Sequence, residues 1–174
     1  MKKEPELKTK RLRLSPMTWQ ELEQTIDRET DGEMKQAYGE MLAGMNADPA
    51  NVLWSAPWKM CLKEEGSCIG DIGFKGAPKQ GTVEIGYGIQ KAYEGQGYTT
   101  EAVGAMMDWA FSQKDVYAVE AEAGNAASAH ILEKHKFQRV GDGEEGPRYR
   151  REKPQSAWMT VYMCCGLSIG MSLG

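Results

Sequence analysis

The feature that most limits what this chain can fold into is a strand pattern that leads into a glycine turn and then a helix. Residues 82–90 alternate apolar and polar side chains, which predicts a strand buried on one face. Gly86 and Gly88 would weaken such a strand, so they indicate a bulge or the close approach of another backbone. Gly95 and Gly97 follow, and apolar residues then recur at helical spacing. The segment therefore predicts a strand, a tight turn and a helix N-terminus in direct succession.

Such a turn is suited to bind phosphate. A helix start leaves several backbone N–H groups without partners and carries the positive end of the helix dipole. The amides from Gly95 to Thr100 are the candidates here. A nucleoside triphosphate loop is excluded because no Gly-Lys-Ser/Thr follows, and the dinucleotide pattern G-x-G-x-x-G is broken at Thr100. The predicted phosphate belongs to another kind of ligand.

The other predicted elements alternate between strands and helices. Thr18 and Asn125 are predicted helix N-caps, and residues 141–156 are predicted to be a polar loop rich in glycine and proline. The predicted elements are, in order, a strand at 11–18, helices at 19–29 and 33–46, a hairpin at 58–76, the strand, turn and helix described above, a strand at 116–124, a helix at 125–136 and a strand at 137–142. This order predicts an α+β sheet wrapped by helices.

Composition indicates one domain over residues 1–174, since 41% of the chain is hydrophobic and the length suffices for a sizeable core. The formal charge of -4 provides no basic stripe, so no nucleic-acid partner is expected. The cysteines show no metal-ligand spacing. We expect no metal, and reduced thiols in a cytoplasmic protein. These cysteines are Cys61, Cys68, Cys164 and Cys165.

The two ends of the chain differ sharply. The charged first residues lack the apolar core of a signal peptide. Residues 157–174 contain no charged residue and predict a final buried strand followed by an apolar, glycine-rich tail. A membrane-tethered interaction protein anchored by this tail is the alternative, because its length reaches the lower limit of a membrane span. No basic residue follows to orient an anchor, so no membrane partner is expected.

Three segments together resemble a known family. GYGIQKAYEGQGYTTEA is similar to the acetyl-CoA motif of the GNAT superfamily of N-acetyltransferases, in the form GYWI…YWGKGYATEA of the RimJ/RimL branch. GDIGFKG and NAASAHILEKHKF resemble two further segments of that family. The resemblance implies a mixed, mostly antiparallel sheet of about six to seven strands, splayed between the fourth and fifth, with about four helices in a three-layer α+β fold. It implies acetyl-CoA as cofactor and a protein N-terminus or small-molecule amine as acceptor, and leaves a homodimer open.

The resemblance also implies which residues hold the cofactor. Backbone amides of the glycine turn would bind the pyrophosphate, and the strand before it would pair with the pantetheine arm. Asn125 and Ser128 would contact the cofactor where the next strand splays away. The turn residues are Glu94, Gly95, Gln96, Gly97, Tyr98, Thr99 and Thr100, and the strand residues are Tyr87, Gly88 and Ile89. Glu94 departs from the family's pattern and brings a like charge near the phosphate.

Amine acetylation needs a base for the amine, a donor for the carbonyl oxygen and a proton for the thiolate. Glu84 and Glu120 are the two residues predicted to act as general base, directly or through water. The alternative is that both are solvated glutamates at a sheet edge. Leu132 stands where many family members have a tyrosine that acts as general acid, so Ser128 is predicted to stabilise the thiolate. A helix-surface serine, or one bonded to the local backbone, is the alternative. The N–H of Ile89 is the predicted oxyanion donor.

The histidines and the missing tyrosine complete the predictions for the site. His130 and His135 are predicted to be surface residues rather than ligands. A non-catalytic CoA-binding or pyrophosphate-binding module of the same fold is the alternative function, because the family's tyrosine is missing.

Overall fold

The computed structural model describes residues 3–154, and its strands form one sheet with helices on both faces. The predicted final strand and tail at 157–174 lie outside the described residues. The α-helices are α1 (Trp19–Arg28), α2 (Gly32–Ala47), α3 (Val52–Ser55), α4 (Tyr98–Ser112) and α5 (Ala126–Lys134). The strands are β1 (Leu7–Lys8), β2 (Leu12–Pro16), β3 (Trp58–Leu62), β4 (Cys68–Phe74), β5 (Thr82–Ile89), β6 (Ala118–Glu122), β7 (Gln138–Asp142) and β8 (Pro147–Glu152).

The sheet has the strand order β1-β2-β3-β4-β5-β6-β8-β7 and is antiparallel except between β5 and β6. Those two strands pair only over Thr82, Val83 and Glu84 and their partners, and no further pairing joins them beyond Glu84. The α+β class is therefore confirmed, and so is the splay between the fourth and fifth predicted strands, which are β5 and β6 here because the short β1 precedes them. The described residues contain eight strands and five α-helices, slightly more than the numbers predicted.

Both predicted helix caps are present. Thr18 forms a full capping box with Glu21 at the start of α1, because each side chain bonds the other residue's backbone N–H. The Oδ1 atom of Asn125 accepts the backbone N–H of Ser128 at 2.8 Å and so begins α5. Local sequence chemistry thus sets where these two helices begin.

Successive side chains of a strand point to opposite faces of the sheet, and in β3 they contact different helices. Trp58 in β3 packs against Trp109 of α4, with ring centroids 5.0 Å apart, in the main hydrophobic core. Its neighbour Lys59 points to the other face and bonds Glu21 of α1 at 3.0 Å. We call these the α4 face and the α1 face. The α4 face is the more apolar, and the polar groups of the sheet concentrate on the α1 face.

Strand β8 corrects the prediction of a continuous loop at 141–156. Arg148 and Arg150 stand directly opposite Glu122 and Glu120 of β6, whereas Tyr149 between them points into the core. The arginines made the segment appear solvated, yet each one compensates a glutamate on the neighbouring strand. The pairing partner lies about 30 residues away, beyond the reach of local pattern rules.

The thiol prediction is wrong for two of the four cysteines. Cys61 in β3 and Cys68 in β4 stand opposite each other across the hairpin and form a disulfide. The hairpin turn itself brings the two side chains together, a proximity that their spacing in sequence did not reveal. Cys164 and Cys165 lie outside the described residues. None of the helices between residues 3 and 154 is long and apolar enough to cross a membrane.

Candidate active site

A cleft of about 650 Å³ opens where β5 and β6 part and is bounded by the start of α4 and by α5. With one exception, the residues predicted to hold the cofactor all line this cleft. The exception is Gln96, whose side-chain Nε2 donates to the carbonyl of Ala92 at 3.2 Å. Glu84 also lines the cleft, whereas Glu120 lies outside its lining. The cleft therefore unites residues from the strand, the turn and two helices.

The glycine turn presents a row of free backbone donors at the end of this cleft. Gly97 is the N-cap of α4, has a φ of +84° and provides no side-chain cap. The first helical bond is donated by the N–H of Glu101 to the carbonyl of Gly97. Within residues 3–154 no acceptor binds the amides from Gly95 to Thr100. Such a row at the positive end of a 15-residue helix fits a phosphate group.

Arg11, which the sequence analysis did not single out, fixes this turn from the β2 side. Its Nη2 donates to the carbonyl of Gln96 at 3.0 Å, and its guanidinium lies 4.0 Å from the ring centre of Tyr98. Its Nε donates to Glu101 at 2.8 Å. Because Arg11 is a cation beside the turn, it offsets part of the repulsion between the Glu94 carboxylate and a bound phosphate. Only the fold shows this role, because 85 residues separate Arg11 from Gln96.

Glu101 ties the first turn of α4 to the start of the sheet, and its replacement by glutamine is expected to lower the free energy of unfolding by about 1–3 kcal/mol at pH 7. The carboxylate accepts hydrogen bonds from Thr9 Oγ1 and from the Arg11 backbone N–H at 2.7 Å. Burial alone would raise its pKa, but the hydrogen bonds from Thr9 and Arg11 and the charge of Arg11 lower it.

A lowered pKa means that this stabilisation is complete above the ordinary glutamate pKa and is lost as the pH falls through the lowered value. Urea denaturation of wild type and Glu101→Gln should therefore differ most at pH 7 and converge in acid. Glu23→Gln on the exposed side of α1 is the matched control, with no expected change. A constant difference at all pH values would contradict the ionic role.

Tyr87 and Ser128 meet across the parted strands. The Tyr87 hydroxyl and Ser128 Oγ are 2.8 Å apart, although 41 residues separate them in sequence. Burial raises the pKa of Tyr87, while its hydrogen bond to Ser128 lowers it, and the net direction is upward. Tyr87 therefore keeps its proton at neutral pH. The pair joins β5 to α5 within the cleft and can donate a proton there.

Two other positions at α5 bear on the predicted cofactor contacts. Asn125, predicted to contact the cofactor, uses its Oδ1 to cap α5, so its Nδ2 is the atom that can donate to a ligand. Leu132, which stands where the family's tyrosine would be, is fully buried in the core. No hydroxyl is therefore presented from position 132, whereas Ser128 presents one from α5 within the cleft, bonded to the hydroxyl of Tyr87.

The predicted base residues belong to an ionic network on the α1 face. Arg148 Nη1 lies 2.7 Å from Glu120 and 3.7 Å from Glu84, and its Nη2 lies 2.7 Å from Glu122. Lys75 also pairs with Glu84 at 2.8 Å. Both candidate carboxylates thus have cations as partners. Their assignment as the base remains a prediction.

Arg148→Met is expected to lower the free energy of unfolding by about 2 kcal/mol, because three partly buried carboxylates would lose a shared cation. Arg148→Lys should restore little, since an ammonium cannot reach several carboxylates as a guanidinium fork does. Thermal and urea unfolding measure the effect. Arg139→Met is the control, because the Arg139–Asp142 pair is exposed and should contribute almost nothing. Equal losses for Arg148→Met and Arg139→Met would refute this account of the network.

The predicted surface position is correct for His130 and wrong for His135. His130 is exposed at the rim of the cleft. His135 is partly buried, and its Nε2 lies 2.7 Å from the carbonyl oxygen of Thr100. The imidazole also packs over Gly104 of α4. His135 therefore connects the end of α5 to the first turn of α4, which the helical spacing of the two histidines did not show.

Tyr38 and Asp71 form a second polar pair that sequence reasoning missed. The Tyr38 hydroxyl on α2 donates to Asp71 Oδ2 of β4 at 2.5 Å. The pair lies on the α1 face, because Asp71 is opposite Lys59 and Gly88 on the neighbouring strands. A charged residue inside the otherwise apolar strand β4 was the pattern that could have drawn attention to it.

Comparison of the sequence with known protein families agrees with this architecture. The family described as the acetyltransferase (GNAT) domain matches residues 11–138, most of the chain. The protein is therefore a member of the GNAT acetyltransferase family. It is similar to the uncharacterized N-acetyltransferase YjdG of Bacillus subtilis, with 34% identity over 83 residues, 46% of this chain and 49% of the relative. It also resembles the uncharacterized N-acetyltransferase p20 of Bacillus licheniformis, with 30% identity over 109 residues, 61% of this chain and 58% of the relative. These matches span about half the length of the curated relatives.

Solved structures show the same fold at low sequence identity. RimJ from Mycobacterium smegmatis in complex with CoA-disulfide aligns with a TM-score of 0.66 and 16% identity, over 92% of this chain and 95% of that one. The aminoglycoside acetyltransferase AAC(6')-Ib in complex with coenzyme A gives a TM-score of 0.60 and 17% identity, over 86% and 98%. An acetyltransferase from Agrobacterium tumefaciens gives 0.65 and 22%, over 87% and 96%. At these identities the likeness establishes the fold and leaves the acceptor open.

Proposed function

We propose that this chain is an acetyl-CoA-dependent N-acetyltransferase that acetylates a primary amine by direct attack in a ternary complex. The observation that supports this most strongly is the row of unpaired amides from Gly95 to Thr100 at the N-terminus of α4. Membership of the GNAT family points to the same cofactor. The row ends in the cleft between β5 and β6, where a long thioester-bearing ligand has room.

The residues of the cleft fit such a cofactor at two further places. Among the strands of residues 3–154, none pairs with β5 on the β6 side beyond Glu84, so residues 87–89 offer a strand edge to the pantetheine amides. The Nδ2 of Asn125 can donate to the same arm from the start of α5. We assign the pyrophosphate to the glycine turn, where Arg11 adds a positive charge close by.

The bound cofactor supplies an activated acetyl carbon and a thiol leaving group. Within this proposal, the Tyr87–Ser128 pair holds the proton that the leaving sulfur takes up. The backbone N–H of Ile89 stabilises the developing negative charge on the carbonyl oxygen. Glu84 and Glu120 remain the general bases predicted from the sequence. Lys75 holds Glu84 in place, and Arg148 holds Glu120.

The acceptor in this proposal is a protein N-terminus or a small amine. The resemblance to the RimJ/RimL branch and the fold of RimJ favour the first, and the fold of an aminoglycoside acetyltransferase keeps the second in view. Fold alone does not choose among acceptors. The α1 face, with its carboxylates, suits the cationic amine that both classes present.

The test is turnover with a defined set of acceptors. The full chain is incubated with acetyl-CoA and, separately, with an alanine-initiated peptide, a serine-initiated peptide, spermidine and kanamycin. Release of free CoA and the mass of each acceptor are followed together. We expect one acceptor to gain an acetyl group at a rate well above the background hydrolysis of acetyl-CoA. CoA binding by calorimetry with no acetylated product from any acceptor would refute the enzymatic proposal and leave a binding module.

A further inference from the structure

A trough without side chains runs along β5 on the α1 face beside the cleft. Gly86 and Gly88 of β5 point toward this face, and a Cβ atom built on either would meet no atom within 4 Å. Both glycines also line the main cleft. The cleft therefore continues through the parted sheet onto the α1 face, over a floor of bare backbone. An acceptor can approach here from the side opposite Tyr87 and Ser128.

Asp71 lies outside the lining of the cleft but neighbours this trough on the next strand. It is directly opposite Gly88 in the β4–β5 ladder, so its side chain rises beside the open space over that glycine. The strand segment at Gly88 is also the one to which the proposed function assigns the pantetheine arm. A carboxylate at this position lies one strand away from the expected thioester and on the acceptor side.

The hydrogen-bond partner of Asp71 is neutral. Within residues 3–154, the Tyr38 hydroxyl is the group that donates to its carboxylate. The nearest cation by register, Lys59, directs its ammonium to Glu21 at 3.0 Å. A partly buried carboxylate without a cationic partner costs free energy, and such groups are common where a site binds or deprotonates a substrate.

The other carboxylates near the parted strands differ from Asp71 in this respect. Glu84 pairs with Lys75, and Glu120 pairs with both Arg148 and Arg150. Their charges are already compensated within the protein. Asp71 has charge available for an incoming ammonium group, and the glycine floor leaves space for that group beside it.

We propose that Asp71, held by Tyr38, binds the ammonium group of the acceptor and takes its proton, in place of Glu84 and Glu120, the general bases predicted from the sequence. This inference rests on the proposed function and names the acceptor side of the same site. The ammonium loses one proton to the Asp71 carboxylate, and the nitrogen lone pair then forms the new C–N bond as the C–S bond breaks. The nitrogen then gives up a second proton, and the thiolate becomes a thiol by taking a proton from the Tyr87–Ser128 pair. These two transfers balance each other. Asp71 returns its proton to solvent, so no further reactant is needed.

The surroundings make Asp71 a better proton acceptor than an exposed aspartate. Burial raises its pKa most, the hydrogen bond from Tyr38 lowers it, and the charge of Glu29 at the end of α1 raises it. The remaining charged groups facing it are Lys59 and its partner Glu21. Because the base must be ionised to act, activity should fall as the pH drops through this raised pKa.

The test uses the full chain, acetyl-CoA and whichever acceptor of the four-member set it acetylates. Asp71→Asn should lower kcat/KM for the acceptor by about 100-fold or more and remove the acid limb of the pH profile. Tyr38→Phe removes a hydrogen bond that favours the carboxylate, so the acid limb should move to higher pH. The dissociation constant of CoA, measured by calorimetry, should stay unchanged in both variants.

Asp108→Asn, which removes an exposed carboxylate from α4, is the matched control and should behave as wild type. Turnover by wild type together with an unchanged rate and acid limb in Asp71→Asn would overturn this inference alone. Should Asp71→Asn fail to fold, Tyr38→Phe decides, and an unmoved acid limb would overturn it. Failure of wild type to acetylate any of the four acceptors would overturn the proposed function and this inference with it.

Discussion

Replacing Gly97 with valine is expected to weaken CoA binding by about 100-fold, since a left-handed backbone position would be forced on a branched residue and the amide row would move. Gly97 has a φ of +84°, which branched side chains rarely adopt. A Cβ atom here would lie 3.3 Å from Nη2 of Arg11. The side chain would therefore press on the arginine that fixes the turn. The strain and the displaced guanidinium, rather than a side chain in the phosphate's place, cause the expected loss.

Gly66→Val separates the effect on the ligand from backbone strain. Gly66, in the β3–β4 turn, has a φ of +74° and open space around it, so the variant carries similar strain away from the cleft. Calorimetric titration with CoA should show wild-type affinity for Gly66→Val and a loss for Gly97→Val, with Gly97→Ala in between. Thermal unfolding checks that each variant folds. Wild-type affinity in Gly97→Val would count against the glycine turn as the pyrophosphate site.

The parts of the fold that sequence could predict are those built from contacts between near neighbours. The caps at Thr18 and Asn125 depend on residues three positions away, and the strand, glycine turn and helix are consecutive in the chain. The lining of the cleft followed from the same local segment. Motif and periodicity therefore indicated residues that line the cleft, because one continuous stretch of chain supplies most of its lining.

The parts that escaped prediction all depend on partners far apart in sequence. Arg11 meets the turn across 85 residues, and Tyr38 meets Asp71 across 33. Strand β8 was hidden because its arginines look solvated until Glu120 and Glu122 are placed opposite them. Charged residues that compensate one another inside a sheet resemble a loop when each is judged alone. The proposed acceptor side of the site depends on such a contact, between Tyr38 and Asp71, and sequence patterns missed it for that reason.

Tyr87 and Ser128 illustrate how the fold changes the meaning of a residue. The sequence assigned Tyr87 a backbone role and Ser128 a role near the thiolate, and the structure joins their hydroxyls at 2.8 Å. The burial that raises the pKa of Tyr87 keeps it protonated. A serine hydroxyl alone is a weak acid, but a bonded phenol can replace the proton that it gives away. The pair supplies hydroxyl groups to the cleft, where Leu132 has none.

Ser128→Ala is accordingly expected to lower kcat by about 100-fold, and Tyr87→Phe by about tenfold, with little change in the dissociation constant of CoA. Loss of Ser128 removes the hydroxyl from α5, whereas loss of the Tyr87 hydroxyl leaves a serine that must draw its proton from solvent. Steady-state turnover of the acetylated acceptor measures both. Ser67→Ala, which removes an exposed hydroxyl from the β3–β4 turn, should leave kcat unchanged.

The double variant distinguishes a proton-carrying pair from two independent contacts. If the hydroxyls act in series, removing Tyr87's hydroxyl after Ser128 is gone should cost nothing more, so the double variant should match Ser128→Ala. Independent contributions would instead multiply to about 1,000-fold. A structural link between β5 and α5 predicts a third result, in which kcat is preserved and only the melting temperature falls. Wild-type kcat in Ser128→Ala would exclude the pair from proton transfer and require another donor within the cleft.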